Sequence, residues 1–179
     1  MTNAELAVLS LIVECPRHGY EIENVIEVRG MREWTEIGFS SIYYLLKKLE
    51  RQGWIEAHLE PAAGRGPTRT VYQATPAGAG AFRAGVLEAL SMPRRAYPSL
   101  VLGLACLPGV PHGRAVDALR RYRDALSERL THVGGRQDVQ QPLPYFVVAT
   151  FEYSLAMLRA ELAWIEEFIQ QMEGRNEQA

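Results

Sequence analysis

The sequence predicts a mainly helical fold that contains one small β-hairpin, and three observations support this class. Apolar residues recur with helical periodicity over most of the 179 residues. Residues 55–60 alternate instead between apolar and polar side chains, as a half-buried strand does, and a Pro- and Gly-rich loop and a second strand follow. The chain then ends on a long segment with a heptad-like apolar repeat. The composition, 47% hydrophobic and 22% charged, is typical of a globular protein.

Two helices are predicted at the start of the chain. Thr2 and Glu5 match a capping box, so they are expected to open a helix over residues 4–14. This helix is apolar nearly all round, which predicts burial on more than one side. A second helix is expected over residues 19–29, with Gly30 as its stop.

The third predicted helix has two very different faces. It is expected to begin near Ser40 and to end before Gly53. Its apolar residues follow helical spacing and form one stripe: Ile42, Leu45, Leu46 and Leu49. The positions left facing outward carry small, aromatic and basic side chains: Ser40, Ser41, Tyr43, Tyr44, Lys47, Lys48 and Arg51.

A hairpin and a fourth helix follow. The alternating strand is expected to be half-buried, and residues 61–68 form a Pro- and Gly-rich loop that carries Arg65. The returning strand spans residues 69–74. Thr75 is then predicted to cap a helix that begins at a proline and runs to about residue 90.

Residues 91–98 are the boundary that the composition indicates, so we expect two domains, 1–90 and 91–179. A short helix, a longer amphipathic helix and a polar loop are predicted beyond it, over residues 99–107, 113–133 and 134–144.

The last predicted helix, residues 145–172, carries the most regular pattern. Its apolar spacings alternate between four and three, as in a coiled-coil seam: Phe151, Leu155, Leu158, Leu162, Ile165, Ile169 and Met172. A second row widens this surface beyond what one neighbouring helix covers: Tyr153, Met157, Trp164 and Phe168. We therefore expect contact with a second copy through Leu6, Leu9, Phe151, Leu155, Leu158, Leu162, Ile165 and Ile169.

Three helices followed by a hairpin with a basic, glycine-rich loop match the order of a winged helix-turn-helix. A helix that enters the major groove needs an apolar face for anchorage and small, polar or basic residues on the other. Residues 40–52 divide in that way, so double-stranded DNA is the expected partner. We expect base-edge contacts from Ser41, Tyr43, Tyr44 and Lys47, and phosphate contacts from Ser40, Lys48, Arg65 and Arg69. For the helix alone, a solvated amphipathic surface is an equal alternative; the basic loop favours DNA.

Five short stretches carry a resemblance to the PadR family of bacterial regulators: residues 16–22, 41–50, 53–56, 65–72 and 75–78. Their order and spacing over the first 85 or so residues make the signal specific. The C-terminal part resembles, by pattern, the all-helical dimerisation region of one branch of that family. The resemblance implies a homodimeric repressor whose last helix packs on the partner's N-terminal helix. It also implies that His18, in a His-Gly-Tyr signature, is structural. The family often has Pro-Gly before the recognition helix, where this chain has Phe39-Ser40.

Other classes of function are disfavoured. Cys15 and Cys106 lie far apart among apolar neighbours, so we expect two small buried residues and no disulfide or metal site. The four histidines have no metal-ligand spacing, and no nucleophile elbow, phosphate loop or H-E-x-x-H is present. We therefore expect no metal, no cofactor and no enzyme. A bilayer-spanning run and a basic leader are also missing, which predicts a cytoplasmic protein.

Two alternatives remain open. The net charge of −2 is compatible with a winged-helix protein-interaction module that has lost DNA binding, although basic residues cluster locally. A small-molecule sensor is the second, with an effector pocket between subunits lined by Phe146 and Trp164. Packing in a core or an interface is the favoured role of such aromatics. An effector that rotates or spreads two subunits would change the spacing of their recognition helices.

Overall fold

The computed structural model describes residues 1–33, 35, 37–38, 41–61, 68–93, 95–139 and 142–176. The chain divides into two compact units, Met1–Arg95 and Ala96–Ala179. The mainly helical class with a small β-structure is confirmed. No helix within the described residues is long and apolar enough to cross a membrane.

Within the described residues, the N-terminal unit contains four α-helices, one 3-10 turn (Met31–Glu33) and three short strands. In chain order the α-helices and strands are α1 (Asn3–Glu14), β1 (Arg17–His18), α2 (Gly19–Val28), α3 (Ser41–Arg51), β2 (Ile55–Glu60), β3 (Arg69–Ala74) and α4 (Pro76–Ser91). The strands form an antiparallel sheet in the order β1-β3-β2. The two hairpin strands and the caps at Thr2 and Thr75 are as predicted. β1 was not predicted, because a two-residue strand has no periodicity.

Side-chain caps and left-handed residues set the helix ends. The Thr2 hydroxyl accepts from the Glu5 N–H (3.2 Å), and the Glu5 carboxylate accepts from the Thr2 N–H (2.8 Å), which confirms the capping box. Gly30 and Gly53 follow α2 and α3 with φ of 62° and 69°, a conformation that favours glycine. Thr75 caps α4, since its Oγ1 accepts from the Gly78 N–H at 3.0 Å.

A single apolar cluster holds this unit together. All four residues of the predicted α3 stripe are buried, and α1 packs on both α3 and α4. The fully buried members of the cluster include Val8, Leu9, Ile22, Ile26, Leu46 and Leu49. Burial of α1 on more than one side is therefore confirmed.

The hairpin is less buried than its alternating pattern predicts. Of β2, only Ile55 is buried, and Leu59 is 75% exposed. The prediction of a half-buried strand is therefore wrong beyond Ile55, because no other element in the described part of the chain covers the side chains of the remainder of β2. The hairpin is anchored at its base, where Ile55 pairs with Ala74.

The described part of the C-terminal unit contains three α-helices, α5 (Ser99–Ala105), α6 (His112–Val139) and α7 (Tyr145–Asn176), with a 3-10 turn (Leu107–Gly109) after α5. The loop predicted over residues 134–144 is wrong in its first half, where α6 continues through Gly134 and Gly135. Each glycine costs a helix about 1 kcal/mol relative to alanine. Val133 is nevertheless buried, and Arg136 and Gln137 are half-buried, so packing outweighs the local preference.

The apolar seam of α7 packs on α6 of the same chain. Its buried members lie in one cluster with the apolar side of α6: Phe151, Leu155, Leu158, Ile165, Ile169 and Met172 against Ala115, Val116, Leu119, Leu126 and Val133. This corrects the assignment of the seam to a contact with a second copy, because α6 already covers it. Leu9 is likewise buried in its own unit. Leu6 and Leu162 are half-buried and stay predictions for that contact.

Both cysteines are exposed, which corrects the prediction that they are buried. Cys15 is the C-terminal cap of α1, and Cys106 follows α5, a helix with no buried residue. Apolar neighbours in sequence therefore do not enclose a residue that stands at the surface end of a helix.

Candidate nucleic-acid interface

The outward face of α3 presents phenols and cations. Tyr43 and Tyr44 are 53% and 60% exposed, and Lys47 and Arg51 are exposed on the same side of the helix. The opposite face is the buried stripe, so α3 is anchored on the apolar core while its polar groups reach solvent. Such a division suits a helix that docks in the major groove.

Ser41 begins α3 and is bound to the turn before it. Its hydroxyl donates to the Gly38 carbonyl at 2.6 Å, and its backbone N–H donates to the same oxygen at 3.1 Å. The hydroxyl oxygen keeps lone pairs that can accept a further hydrogen bond. Ser40, the residue before it, lies outside the described residues.

Close packing of Tyr43 on α2 positions the start of α3. A Cβ atom at Gly19 would lie 2.9 Å from Cε1 of Tyr43, so a side chain there would displace the ring. His18 precedes this glycine, and its Nδ1 lies 3.2 Å from the Thr70 carbonyl of β3. His18 therefore joins the first turn of α2 to the sheet, consistent with a structural role.

A groove of about 510 Å³ runs between α2, α3 and β3. Its polar lining comes from His18, Tyr20, Glu21, Tyr43, Arg69, Thr70 and Tyr72. Burial raises the pKa of Tyr72, and the nearby Glu50 adds to this, so its phenol remains a hydrogen-bond donor. The groove brings Arg69, one of the predicted phosphate ligands, to the recognition helix. Tyr20 is an exposed member that sequence analysis missed; its outward position two residues before buried Ile22 was the available signal.

Arg69 and Arg65 belong to the wing. Arg69 is exposed on β3, directly opposite Glu60 of β2 in the strand register. Arg65 falls outside the described residues. Of the two predicted wing cations, the structure thus places Arg69 beside α3.

Lys48 has a different role from the one predicted. Its ammonium forms an ion pair with the carboxylate of Glu5, which is 3% exposed. Burial raises the pKa of Glu5, but hydrogen bonds from Lys48 and Thr2 outweigh it, and the net pKa is lowered. The hydrogen bond to Glu5 raises the pKa of Lys48, so both groups stay charged. This corrects the assignment of Lys48 to DNA phosphate, because a carboxylate of the same unit already neutralises its charge.

The two aromatics predicted to line an effector pocket stand far apart on α7. Phe146 packs edge-on against Tyr145, with ring centroids 5.7 Å apart, whereas Trp164 stacks on Phe168 at 5.1 Å. Eighteen helical residues separate Phe146 from Trp164, about 27 Å along the axis. One chain does not bring them into one pocket, and a pocket between subunits stays a prediction. No group of three or more metal-ligating side chains occurs in the part of the chain that the structure describes.

A helix with an anchored apolar stripe and an exposed aromatic and basic face, set beside a three-stranded sheet, defines a winged helix-turn-helix. The class is that of DNA-binding transcriptional regulators. Residues 8–84 match the model of the transcriptional regulator PadR-like family. The resemblance inferred from the sequence is confirmed.

Solved structures share the fold over nearly the whole chain. PadR of Bacillus subtilis in complex with operator DNA is 18% identical, with a TM-score of 0.77 over 94% of this chain and 98% of that one. The same protein in complex with p-coumaric acid is 16% identical, with a TM-score of 0.76 over 94% and 98%. Protein smu.1604c of Streptococcus mutans is 19% identical, with a TM-score of 0.72 over 95% and 99%. No curated protein is significantly similar to the chain.

Proposed function

We propose that the chain is a homodimeric repressor that reads an operator with α3. The observation that carries the proposal is the division of α3 into a fully buried stripe and an exposed face with Tyr43, Tyr44 and Lys47. The major groove, about 12 Å wide, admits one such helix. Ser41, Tyr43, Tyr44 and Lys47 are then the base-edge contacts.

Phosphate contacts come from cations at the margin of α3. Arg69 reaches the backbone from β3, and Arg51 takes the place that sequence analysis assigned to Lys48. Ser40 and Arg65 keep their predicted roles in phosphate binding. Cations at both ends of the exposed face of α3 fix the position of the helix along the duplex, while the base contacts supply specificity.

The C-terminal unit is the dimerisation module, and residues 91–98 separate it from the DNA-binding domain. The row that α6 leaves uncovered on α7, with Tyr153, Met157 and Trp164, is exposed and apolar. A contiguous apolar surface of that kind favours a protein partner. Two-fold symmetry would place two recognition helices about 34 Å apart, one helical turn of DNA. Because the family model that it matches describes transcriptional regulators, we place the protein in the cytoplasm and assign it no enzymatic activity.

A small-molecule effector is the second part of the proposal. It is supported by the similar Bacillus subtilis PadR, whose solved complexes include one with p-coumaric acid. In this chain, an effector would act by changing the relation of the two subunits and hence the distance between their α3 helices.

The test is fluorescence anisotropy of the full chain on DNA fragments from upstream of its own gene, over a salt series. A dimer that neutralises 5–10 phosphates should show a log–log salt slope of about −4 to −9. Lys47→Ala should weaken binding to one fragment by about tenfold, since a good base contact contributes about 1–3 kcal/mol.

Arg121→Ala is the matched control, because it removes the same charge from an exposed position of α6. Binding that does not discriminate between fragments, or that responds equally to both substitutions, would contradict operator recognition. That result would favour the protein-interaction module.

A further inference from the structure

The Glu5–Lys48 pair is a charged contact at the recognition helix that the DNA-binding role described above does not explain. Glu5 lies on α1 and is almost fully buried, yet its carboxylate is ionised. Lys48 lies on α3, immediately beside the exposed Lys47. Burying an ion pair gains little stability, since desolvation offsets the attraction, and the best-attested use of such pairs is to define register.

The pair connects two structural tasks. One oxygen of Glu5 accepts from the Thr2 N–H at 2.8 Å and closes the first turn of α1. The other oxygen receives the Lys48 ammonium. The ion pair thereby fixes Lys48 relative to the first turn of α1, and α1 also packs on α4.

The apolar stripe of α3 does not by itself fix the rotation of the helix about its axis. Contacts among Leu45, Leu46 and Leu49 and their neighbours are non-directional, so they resist separation more than they resist small rotations. With a helix radius of about 5–6 Å including side chains, a rotation of about 10° moves an outward tip by about 1 Å. Displacements of about 0.5 Å already degrade a binding constellation.

We infer that Glu5 and Lys48 are positioning residues for DNA recognition, which fix the rotation of α3 and so aim Tyr43, Tyr44 and Lys47 at the bases. The inference rests on the proposed operator binding and adds residues that touch no DNA. It gives the two adjacent lysines different roles, since Lys47 contacts the duplex and Lys48 orients the helix that carries Lys47.

The variant that tests this is Glu5→Gln/Lys48→Met. Glutamine still serves the capping box, and methionine keeps the length of the lysine stem. Removing both charges leaves no unpaired buried charge, so the double variant should fold with an unchanged denaturation midpoint. Glu14→Gln/Arg29→Met is the matched control, because it removes an ion pair between α1 and the C-terminal end of α2, while the glutamine can still accept a hydrogen bond from Arg17.

Binding to the operator fragment and to an unrelated fragment is measured across the salt series. We expect the double variant to lose about tenfold in operator affinity, or about 1.4 kcal/mol, with unrelated DNA bound as by the unmodified chain. The salt slope should not change, whereas removal of a phosphate contact would reduce it by about 1. The control variant should keep both affinities. A reduced slope, an equal loss on both fragments or an unaltered operator affinity would overturn the inference.

A second readout needs no DNA. The Tyr43 ring lies against Gly19, so the Gly19 Hα resonances carry its ring-current shift. Rotation of α3 in the double variant should move these resonances, and the control should leave them in place. Unmoved Gly19 resonances would overturn the positioning role. If the unmodified chain selects no fragment while these resonances do move, the operator proposal fails and the positioning of α3 stands.

Discussion

Replacement of Gly78 by alanine is expected to disrupt the junction between α4 and the base of the wing. A Cβ atom at Gly78 would lie 1.8 Å from the carbonyl oxygen of Trp54 and 2.7 Å from its carbonyl carbon. The same carbonyl accepts from the Thr75 N–H at 3.0 Å. The Thr75 hydroxyl, in turn, donates to the Gly53 carbonyl at 2.7 Å and caps α4 at Gly78. The absence of a side chain is what allows the two backbones to approach.

The geometry sets the size of the effect. A carbon–oxygen contact needs about 3.3 Å, so α4 and the Trp54 carbonyl must separate by about 1.5 Å. Such a movement takes the Thr75–Trp54 hydrogen bond out of range. Overpacking costs about 1–3 kcal/mol, and each hydrogen bond lost adds about 0.5–1.5 kcal/mol. We expect Gly78→Ala to lower the free energy of unfolding by about 2–5 kcal/mol.

Gly80 of the same helix provides the matched control. Nothing lies within 4 Å of a Cβ atom built there, so Gly80→Ala should stabilise by about 0.5–1 kcal/mol through helix propensity alone. Urea unfolding followed by circular dichroism measures the free energy of unfolding of both variants, and the two values can be compared if the m-values are equal. Equal stabilities of the two variants would refute the close-approach argument. The Gly78 variant should also lose operator affinity, because the wing is displaced from α3.

Two further predictions concern titratable groups. The Tyr122 hydroxyl donates to Glu161 at 2.7 Å, and this hydrogen bond, with burial, raises the pKa of Tyr122 to about 12 from 10.0. Its stabilisation is complete below pH 10 and should be lost as pH rises from 10 to about 12. Tyr122→Phe should cost about 1–3 kcal/mol at neutral pH and abolish that alkaline loss, whereas Tyr97→Phe, at an exposed position, should change neither. Hydrogen bonds from Arg29 lower the pKa of Glu14 below 4.5, so the stability it adds should be lost as pH falls through the folded-state pKa. Since Glu14 is partly exposed, Glu14→Gln should lower the free energy of unfolding by at most about 1 kcal/mol. The variant should also lose less stability than the unmodified chain as the pH falls. An equally steep loss at acid pH would contradict the role of the Glu14 carboxylate.

Local patterns predicted most of the N-terminal unit. The spacing of Ile42, Leu45, Leu46 and Leu49 identifies the buried face of α3 without reference to any other element. Caps are equally local, because Thr2 and Thr75 bond to groups three residues away. β1 was missed, since its two residues become a strand only by pairing with Tyr72 and Val71 of β3.

The outward positions of α3 show where such patterns stop. Helical spacing treats Lys47 and Lys48 alike, as two cations beside the stripe. Their contacts differ because of Glu5, which stands 43 positions earlier in the chain and meets Lys48 only when α1 packs on α3. Long-range contacts of that kind leave no trace in spacing along one helix.

The sequence by itself determined the order of the elements, their caps and which face of each helix is apolar, because these depend on neighbours within a few residues. The tertiary structure decided what covers each apolar face. It set the α7 seam against α6 of the same chain, left Leu59 and both cysteines at the surface, and made Gly78 the point where two backbones meet. Burial is a property of segments brought together from distant parts of the chain. Periodicity therefore identifies which face of a helix is apolar, and only the tertiary fold determines which element covers that face.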